Sequence, residues 1–299
     1  MNFSLLVNPG NPKTVSAVKD LLAIAEKLGF QLHMSKRAGT MISGMSQPDY
    51  LHLHETDYEA MSEGEITVAI GGDGTILRAA DLVRQVKHPL LGINSGRLGF
   101  LTNIQRQNMP NALEKIMDGN YYLDKRNFIE ARFNTGKTYY ALNEFVFSRK
   151  ASVSMITLTA EYDGALINRY WADGIIVSSP TGSTAYNLST GGPIVIPQTN
   201  VIILTPISPH TLTTRPLVLP SNNNLTIKVE PAEQEVQFSG DGNNYDLPEN
   251  DPVVHIRQSD QDIQLIKLSG QSYFETLREK LMWGADIREK SESISTNKP

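Results

Sequence analysis

The feature that most constrains this chain is a change of texture after residue 103. Before it, short β-type runs alternate with helical spacing. FSLLV (3–7) is followed by the turn NPGNP, and then Val15, Val18, Leu21, Leu22, Ala25 and Leu28 recur at helical spacing as far as Gly29. EITVAI (65–70) leads into GGDG (71–74) and a helix-compatible TILRAADLVRQV, and HPLLGINSGRLGFLT opens with a further short buried strand. Alternating β and α elements imply a parallel sheet with helices on its faces. After 103, one helical stretch, MPNALEKIMDGN, gives way to runs rich in β-branched and aromatic residues: FIEARFN, KTYYALNEFVFSR, SMITLTAEYDG, GIIVSS, PIVIP, NVIILTPI, PLVLP, NLTIKVE, EVQFSG, DPVVHIRQ and IQLIKLS. Turn formers such as EYDGA, PSNNN and GDGNN separate them, which predicts a β-sandwich. The expected architecture is therefore a Rossmann-like α/β domain over 1–103, carrying the GGDG loop, and a β-sandwich-like all-β domain over 104–270. A last helical piece within 271–290, YFETLREKLMWG, is expected to pack back on the first domain.

Composition narrows the function. Apolar residues make up 40% and charged residues 20% of 299, as in a folded protein with a real core rather than a disordered chain. A net charge of −5 argues against a nucleic-acid binder, whose domain carries a basic surface. The chain has no cysteine, which excludes disulfides, thiol nucleophiles and thiolate metal sites and agrees with a reducing compartment. No stretch approaches the roughly 18–20 apolar residues of a membrane span, so the expectation is a cytoplasmic, soluble protein without membrane partners.

GGDG follows a strand and opens a helix, so its backbone N–H groups can face an anion, helped by the partial positive charge of the helix N-terminus. It matches neither the P-loop nor the GxGxxG pattern, and Asp-Gly is also an ordinary turn pair. Asp73 sharpens the functional reading. A carboxylate beside phosphate oxygens is repulsive unless a cation bridges them or it accepts a proton from a nucleophile, and both roles belong to phosphoryl transfer. Arg78, one turn into the helix, either reaches towards a phosphate or is a solvated surface arginine.

Asn143 and Glu144 interrupt the apolar run KTYYALNEFVFSR. Neighbours on a strand point to opposite faces, so both cannot face solvent in a sandwich; beside a cleft they could bond ribose hydroxyls, and on an exposed edge they would need no ligand. Asp173 and Asp241 are each followed by glycine next to β-structure, at a site or at a hairpin turn. HLH (52–54) hints at a metal, but no third ligand of suitable spacing stands nearby, and the pair is expected on a loop. The six histidines are scattered and form no Ser/His/Asp triad. In PTGSTAYNLS, Ser183 and Thr184 are candidate N-caps of a short helix ending near Gly191 and Gly192. Small side chains let a flat group approach the backbone and Tyr186 offers a stacking face, as a nucleoside pocket needs, although Ser/Thr-rich turns are also common in β proteins.

Taken in order, GGDGTILRAAD, LGINSGRLGFLTN, LNEFVFSRK, ADGIIVSSPTGSTAYNLSTGGPIV, SPHTLTTRPLVLP and FSGDG resemble the successive motifs of the NAD kinase family, over residues 71–242. GGDGT alone is shared with diacylglycerol-type and sphingosine-type lipid kinases; the long DG…SPTGSTAY…GGPI segment is the more specific. The resemblance implies a two-domain enzyme that transfers the γ-phosphate of ATP to the 2′-hydroxyl of the adenosine ribose of NAD, with a divalent cation, Mg²⁺ or alternatively Mn²⁺. It implies Asp73 as catalytic base, with Gly71, Gly72, Gly74, Thr75 and Arg78 around the phosphates. NAD would lie among Asn143, Glu144, Asp173, Thr184, Ala185, Tyr186, Asn187, Ser189, Asp241 and Asn243, and no metal ligand is assigned directly. A homodimer or homotetramer, with sites completed by a neighbouring subunit, belongs to the same implication. A lipid kinase and a non-catalytic dinucleotide sensor are the alternatives; the acidic charge and the lack of an amphipathic membrane-binding stretch count against the first, and the intact Asp73 against the second. Two positions depart from the family pattern: Trp171, where relatives carry arginine or a small residue, and Asn103, where GFLTD is usual.

Overall fold

A computed structural model describes residues 1–44, 46–96, 99–102, 104–150, 154–230, 236–248 and 252–283. Asn103 lies outside the described residues. The chain divides into two compact units, one of Met1–Ile76, Leu91–Leu123 and the chain from Ile266 onward, the other of Leu77–Leu90 and Asp124–Leu265.

In the first unit, strand Ile66–Gly71 is buried along its whole length, as a parallel strand covered on both faces should be. Asn2–Val7 pairs parallel with it on one side and with Gln31–Ser35 on the other, and Leu51–His54 extends the sheet in the same sense. Helix Pro12–Leu28 starts where Asn11 accepts the Lys13 N–H at 3.0 Å and stops at Gly29, whose φ of 72° a side chain would disfavour. Its Val18, Leu21, Leu22 and Ala25 are buried against Phe3, Leu32 and Val68, each large side chain contributing about 1.5–3 kcal/mol. The unit extends beyond the texture change at 103. Helix Met109–Met117 places Met109, Ala112, Leu113 and Ile116 in the same core, an i, i+3, i+4, i+7 stripe that needs a partner, and Ile266 and Leu268 return to it from far along the chain. Helix Tyr273–Leu281, opened by a capping box of Ser272 and Glu275, belongs to this unit and buries Leu277.

The second unit holds two antiparallel arrays. One runs Ala165–Ala172, Ile156–Tyr162, Leu225–Val229, Val253–Lys267, with Tyr122–Phe133 and Thr138–Ala141 attached. The other is a six-stranded sheet in the order Leu217–Pro220, Val201–Ile207, Gly174–Ser178, Glu144–Arg149, Val236–Gly240, Asn243–Tyr245. Phe145, Phe147, Ile175, Val177 and Phe238 from the second pack with Leu158, Ile227 and Val254 from the first in one core.

Four details differ from the sequence expectation. KTYYALNEFVFSR is two strands, Thr138–Ala141 and Glu144–Arg149, lying in different sheets and broken at Leu142–Asn143. DPVVHIRQ and IQLIKLS belong to a single strand, Val253–Lys267. PIVIP is no strand; prolines bound it, and side chains rather than a ladder take its backbone groups, Asn187 Nδ2 donating to Pro193 O and Ser183 Oγ exchanging bonds with Val195. Ser183 and Thr184 cap no helix: a 3₁₀ turn Thr181–Thr184 precedes helix Tyr186–Ser189, whose N-cap Ala185 has no hydroxyl to offer.

Candidate functional site

The polar pair Asn143–Glu144 marks the corner where the chain leaves one sheet of the second unit for the other. A sheet change strips the corner of ladder partners, and a buried amide without a partner is costly. The Asp241 carboxylate meets that need: Oδ2 accepts the Leu142 N–H at 2.6 Å, and Oδ1 accepts those of Asn143 and Glu144 at 2.8 and 3.1 Å. Carbonyls of the corner are met from the other side, where Ser179 N–H donates to Asn143 O at 2.8 Å and Ser179 Oγ to Leu142 O at 2.5 Å.

The small residues of PTGSTAYNLS fold directly over this corner. A Cβ on Gly182 would stand 2.2 Å from the Asn143 carbonyl oxygen, and one on Gly192 would stand 2.0 Å from Asn187 Oδ1. Asn187 is buried, with Nδ2 donating to Ser183 O and Pro193 O at 3.1 Å each and Oδ1 accepting from Thr205 Oγ1 at 2.6 Å. Its side chain is engaged inside the protein and shapes the loop. Tyr186 is 44% exposed, so its ring is free to stack, while its backbone N–H donates to the Glu144 carboxylate. Thr184 and Ala185 are half-buried and Ser189 exposed on the same turn.

Glu144 is buried, and its Oε2 finds no hydrogen-bond partner among the described residues. Burial first, and then the negative charge of Asp241, push its carboxyl up to about 8, opposed by the Tyr186 N–H. Burial also raises Asp241, to about 6, against the pull of its three N–H donors, and Asp81 adds to the rise. Three donors against one decide where the charge sits. Asp241 is the ionised partner, and Glu144 carries the proton near neutral pH.

In the first unit, GGDG ends strand Ile66–Gly71 and opens helix Asp73–Val86. A Cβ on Gly71 would lie 2.1 Å from Thr75 Oγ1, so the helix itself requires that glycine, whereas a Cβ on Gly72 or Gly74 would meet open space. Asp73 Oδ1 accepts from the N–H groups of Leu101 and Thr102 at 3.1 Å and from Thr102 Oγ1 at 3.2 Å, and Oδ2 from the Phe100 N–H at 2.9 Å. Gly99 makes room for it, since a Cβ there would fall 1.9 Å from Oδ1. Asn94 Nδ2 donates to Thr102 Oγ1 at 2.9 Å, continuing the network. The sequence alone assigns Asn94 and Thr102 no task; the signal it offers is an Asn that ends a buried strand and a Thr that follows the apolar pair Phe100–Leu101.

Other sequence-derived candidates stand elsewhere. Asp173 pairs with Arg149, Nε to Oδ1 at 2.9 Å. Registers Gly174↔Ser148 and Ser178↔Glu144 put it at the opposite end of its strand from Glu144, roughly 15 Å away. Trp171 is 52% exposed and packs on His210, ring centroids 4.3 Å apart. Asn243 is exposed and hydrogen-bonds Tyr245, and Arg78 is exposed on its helix. The HLH pair is on strand Leu51–His54 rather than a loop, and a third histidine does stand beside it: His33 Nδ1 is 3.0 Å from His54 Nε2 and its ring stacks on His52 at 4.8 Å. The parallel pairing Gln31–Ser35 with Leu51–His54 makes that neighbour, which linear spacing could not reveal. No group of three His, Cys, Asp or Glu among the described residues is arranged to hold a metal ion.

An α/β unit with a glycine-flanked aspartate at a helix start, and a sandwich unit with a small-residue loop over a polar corner, define the class as a nucleotide phosphotransferase. Residues 3–121 match the ATP-NAD kinase N-terminal domain and 142–268 the ATP-NAD kinase C-terminal domain. An NAD kinase of Flavobacterium johnsoniae is 42% identical over 229 residues, covering 75% of this chain and 78% of that one, and one of Bacteroides fragilis is 33% identical over 293 residues, covering 96% and 100%. A crystal structure of an NAD kinase from Archaeoglobus fulgidus in complex with ATP is similar at a TM-score of 0.74 and 25% identity, covering 94% of this chain and 99% of that one. The fold is shared with the yeast NADH kinase, crystallised with NADH, at a TM-score of 0.85 and 24% identity, covering 96% and 89%. The chain belongs to the NAD kinase family, ATP-dependent phosphotransferases that convert NAD to NADP.

Proposed function

We propose that the second unit holds NAD at the Asn143–Glu144 corner and that Asp73 is the base for transfer of the γ-phosphate to the adenosine ribose 2′-hydroxyl. The observation that carries the NAD assignment is Glu144 Oε2, buried and unpartnered beside the Asn143 corner and the exposed Tyr186 ring. A ribose hydroxyl offers the hydrogen bond that this oxygen lacks, and adenine offers the face that Tyr186 can stack on. Thr184, Ala185 and Ser189 line the same turn, while Asp241 and Asn187 act by holding the corner and the loop.

Among the described residues Asp73 Oδ2 accepts a single bond, which leaves a lone pair for the hydroxyl proton and supports the base role. As the hydroxyl oxygen attacks the γ-phosphorus, the proton passes to Oδ2, the bond to the β-bridging oxygen breaks and ADP leaves. Gly72 and Gly74 are supported as phosphate contacts because nothing in the protein itself requires glycine there. A divalent cation, taken as Mg²⁺, fits one facing carboxylate: Mg²⁺ is commonly held by phosphate oxygens, water and one or two carboxylates. Bound, it would neutralise phosphate charge, and Asp73 is the residue that would face it.

Asp173, far along its strand from Glu144, is assigned to a site completed by a second copy of the chain, so the working form is a homo-oligomer. No helix among the described residues is long and apolar enough to cross a membrane, and a cytoplasmic location is proposed from the cysteine-free composition. The test is direct. Purified protein with ATP, Mg²⁺ and NAD should form NADP, detected with an NADP-specific dehydrogenase; NAD binding without product under varied donors and metals would sink the catalytic assignment.

A further inference from the structure

We propose that Asp241 is a positioning residue that builds the nucleotide corner without touching the substrate. The inference rests on the reading of Asn143 and Glu144 as NAD contacts. Its first support is geometric. The corner is the one place where the run from Thr138 to Arg149 has left one ladder and not yet joined the next, and a single carboxylate takes all three N–H groups exposed there. The Asp241 N–H returns a bond to Glu144 O at 3.1 Å, so Asp241 makes four hydrogen bonds to the corner among the described residues. With both oxygens aimed at the corner amides, the Asp241 carboxylate serves the chain's own backbone.

The hairpin is shaped for this task. Asp241 has φ of 48° and Gly242 of 81°, two successive left-handed residues that turn Val236–Gly240 back into Asn243–Tyr245 and swing the carboxylate towards the corner. A Cβ on Gly240 would come within 2.8 Å of the Phe145 ring, so glycine there lets the hairpin approach.

The second support is electrostatic. Three amides keep the negative charge on Asp241, and that charge acts on Glu144 in a buried setting, where attraction and repulsion are weakly screened. Other groups face the pair. Asp81 acts on Asp241 and on Tyr245, and Tyr245, stacked on Tyr139 at 4.1 Å, is itself raised by burial and by both aspartates. The Tyr186 N–H is the one donor on Glu144 that opposes the rise. Asp81 is itself paired with Arg84, Nη2 to Oδ1 at 3.0 Å, and Arg84 lies over the Tyr140 ring at 4.1 Å, so the charge that acts on Glu144 is that of Asp241; beside it Glu144 keeps its proton and presents a hydroxyl donor to a ribose oxygen.

The test uses the full-length protein and Asp241→Asn, a change that left-handed backbone tolerates better than most. In the wild-type protein the amides of Leu142, Asn143 and Glu144 should exchange slowly with deuterium, and in Asp241→Asn quickly; unchanged protection overturns the geometric claim whether or not NAD binds. In steady-state assays KM for NAD should rise about 10- to 100-fold with a smaller change in kcat. The alkaline limb of kcat/KM for NAD should move about one pH unit towards neutrality, because Glu144 loses its proton more easily once the charge beside it is gone. A limb at the wild-type pH with KM within about twofold overturns the proposal. Glu144→Gln, neutral at every pH, should lack the limb, and a limb that persists there overturns the proposal even if Asp241→Asn does not fold. A wild-type protein that makes no NADP would instead strike the NAD reading, and the exchange measurement would still judge Asp241.

Discussion

Asp73 and Asp241 meet the same demand in different units: each takes three consecutive backbone N–H groups, Phe100–Thr102 and Leu142–Glu144. Both stand before a glycine, and on paper they look alike. Asp73 differs in that a side-chain hydroxyl, Thr102 Oγ1, joins the three amides, and in that it stands at the start of a helix rather than in a hairpin. Asp73→Asn should keep NAD binding, measured by calorimetry, and lower kcat by ~10² to 10⁴; unchanged turnover would remove the base assignment. Glu144 carries a second expectation. In the unfolded chain it ionises near 4.5 and in the folded chain at about 8, so the folded state binds this proton more tightly. The associated stability is fully present below pH 4.5 and is lost as pH rises towards 8; Asp241, raised from 3.8 to about 6, adds a loss of the same sign lower in the range. Against wild type, Glu144→Gln should gain a few kcal/mol in relative stability between pH 5 and 8.5, at about 1.4 kcal/mol per pH unit. Parallel denaturation curves for the two proteins across that range would refute it.

At the scale of elements, PTGSTAYNLS behaves as a lid folded over a sheet-switching corner, held by Asn187, Ser183 and Ser179. Gly182→Ala puts a methyl against the Asn143 carbonyl, backbone against backbone, and should cost about 1–3 kcal/mol while weakening NAD binding at the displaced corner. Asn187→Ala removes three hydrogen bonds, two of them buried, and should cost about 2–4 kcal/mol. Urea denaturation and NAD titration together read both variants. A stable Gly182→Ala protein with wild-type affinity would mean the loop can move away from the corner. The stretch was legible as a place where a ligand comes close. That its small residues also serve the chain's own packing was not, because Gly182 and Asn143 are neighbours only after the sheets form.

At the scale of the whole molecule, texture in the sequence separated α/β from all-β but could not draw the units. Met109, Ala112, Leu113 and Ile116, and then Ile266 and Leu268, lie beyond residue 103 and still complete the first core. A fragment of residues 1–103 should therefore lack cooperative unfolding and bind a hydrophobic dye, since it leaves Phe3, Val18 and Leu21 without that part of their packing; a sharp thermal transition for the fragment would show the core to be self-sufficient. Local chemistry is what the sequence by itself determined. Hydrophobic period set the strands and the helix Pro12–Leu28, Asn11 and Gly29 set its ends, and the ordered motifs set the family. Only tertiary structure decided which polar groups meet. The His33–His54 contact, the clasp of Asp73 on Phe100–Thr102, the break in KTYYALNEFVFSR and the hold of Asp241 on it all join residues distant in the chain. Hydrogen bonds act over about 3 Å, and linear spacing carries no information at that range until the sheets have brought the strands together.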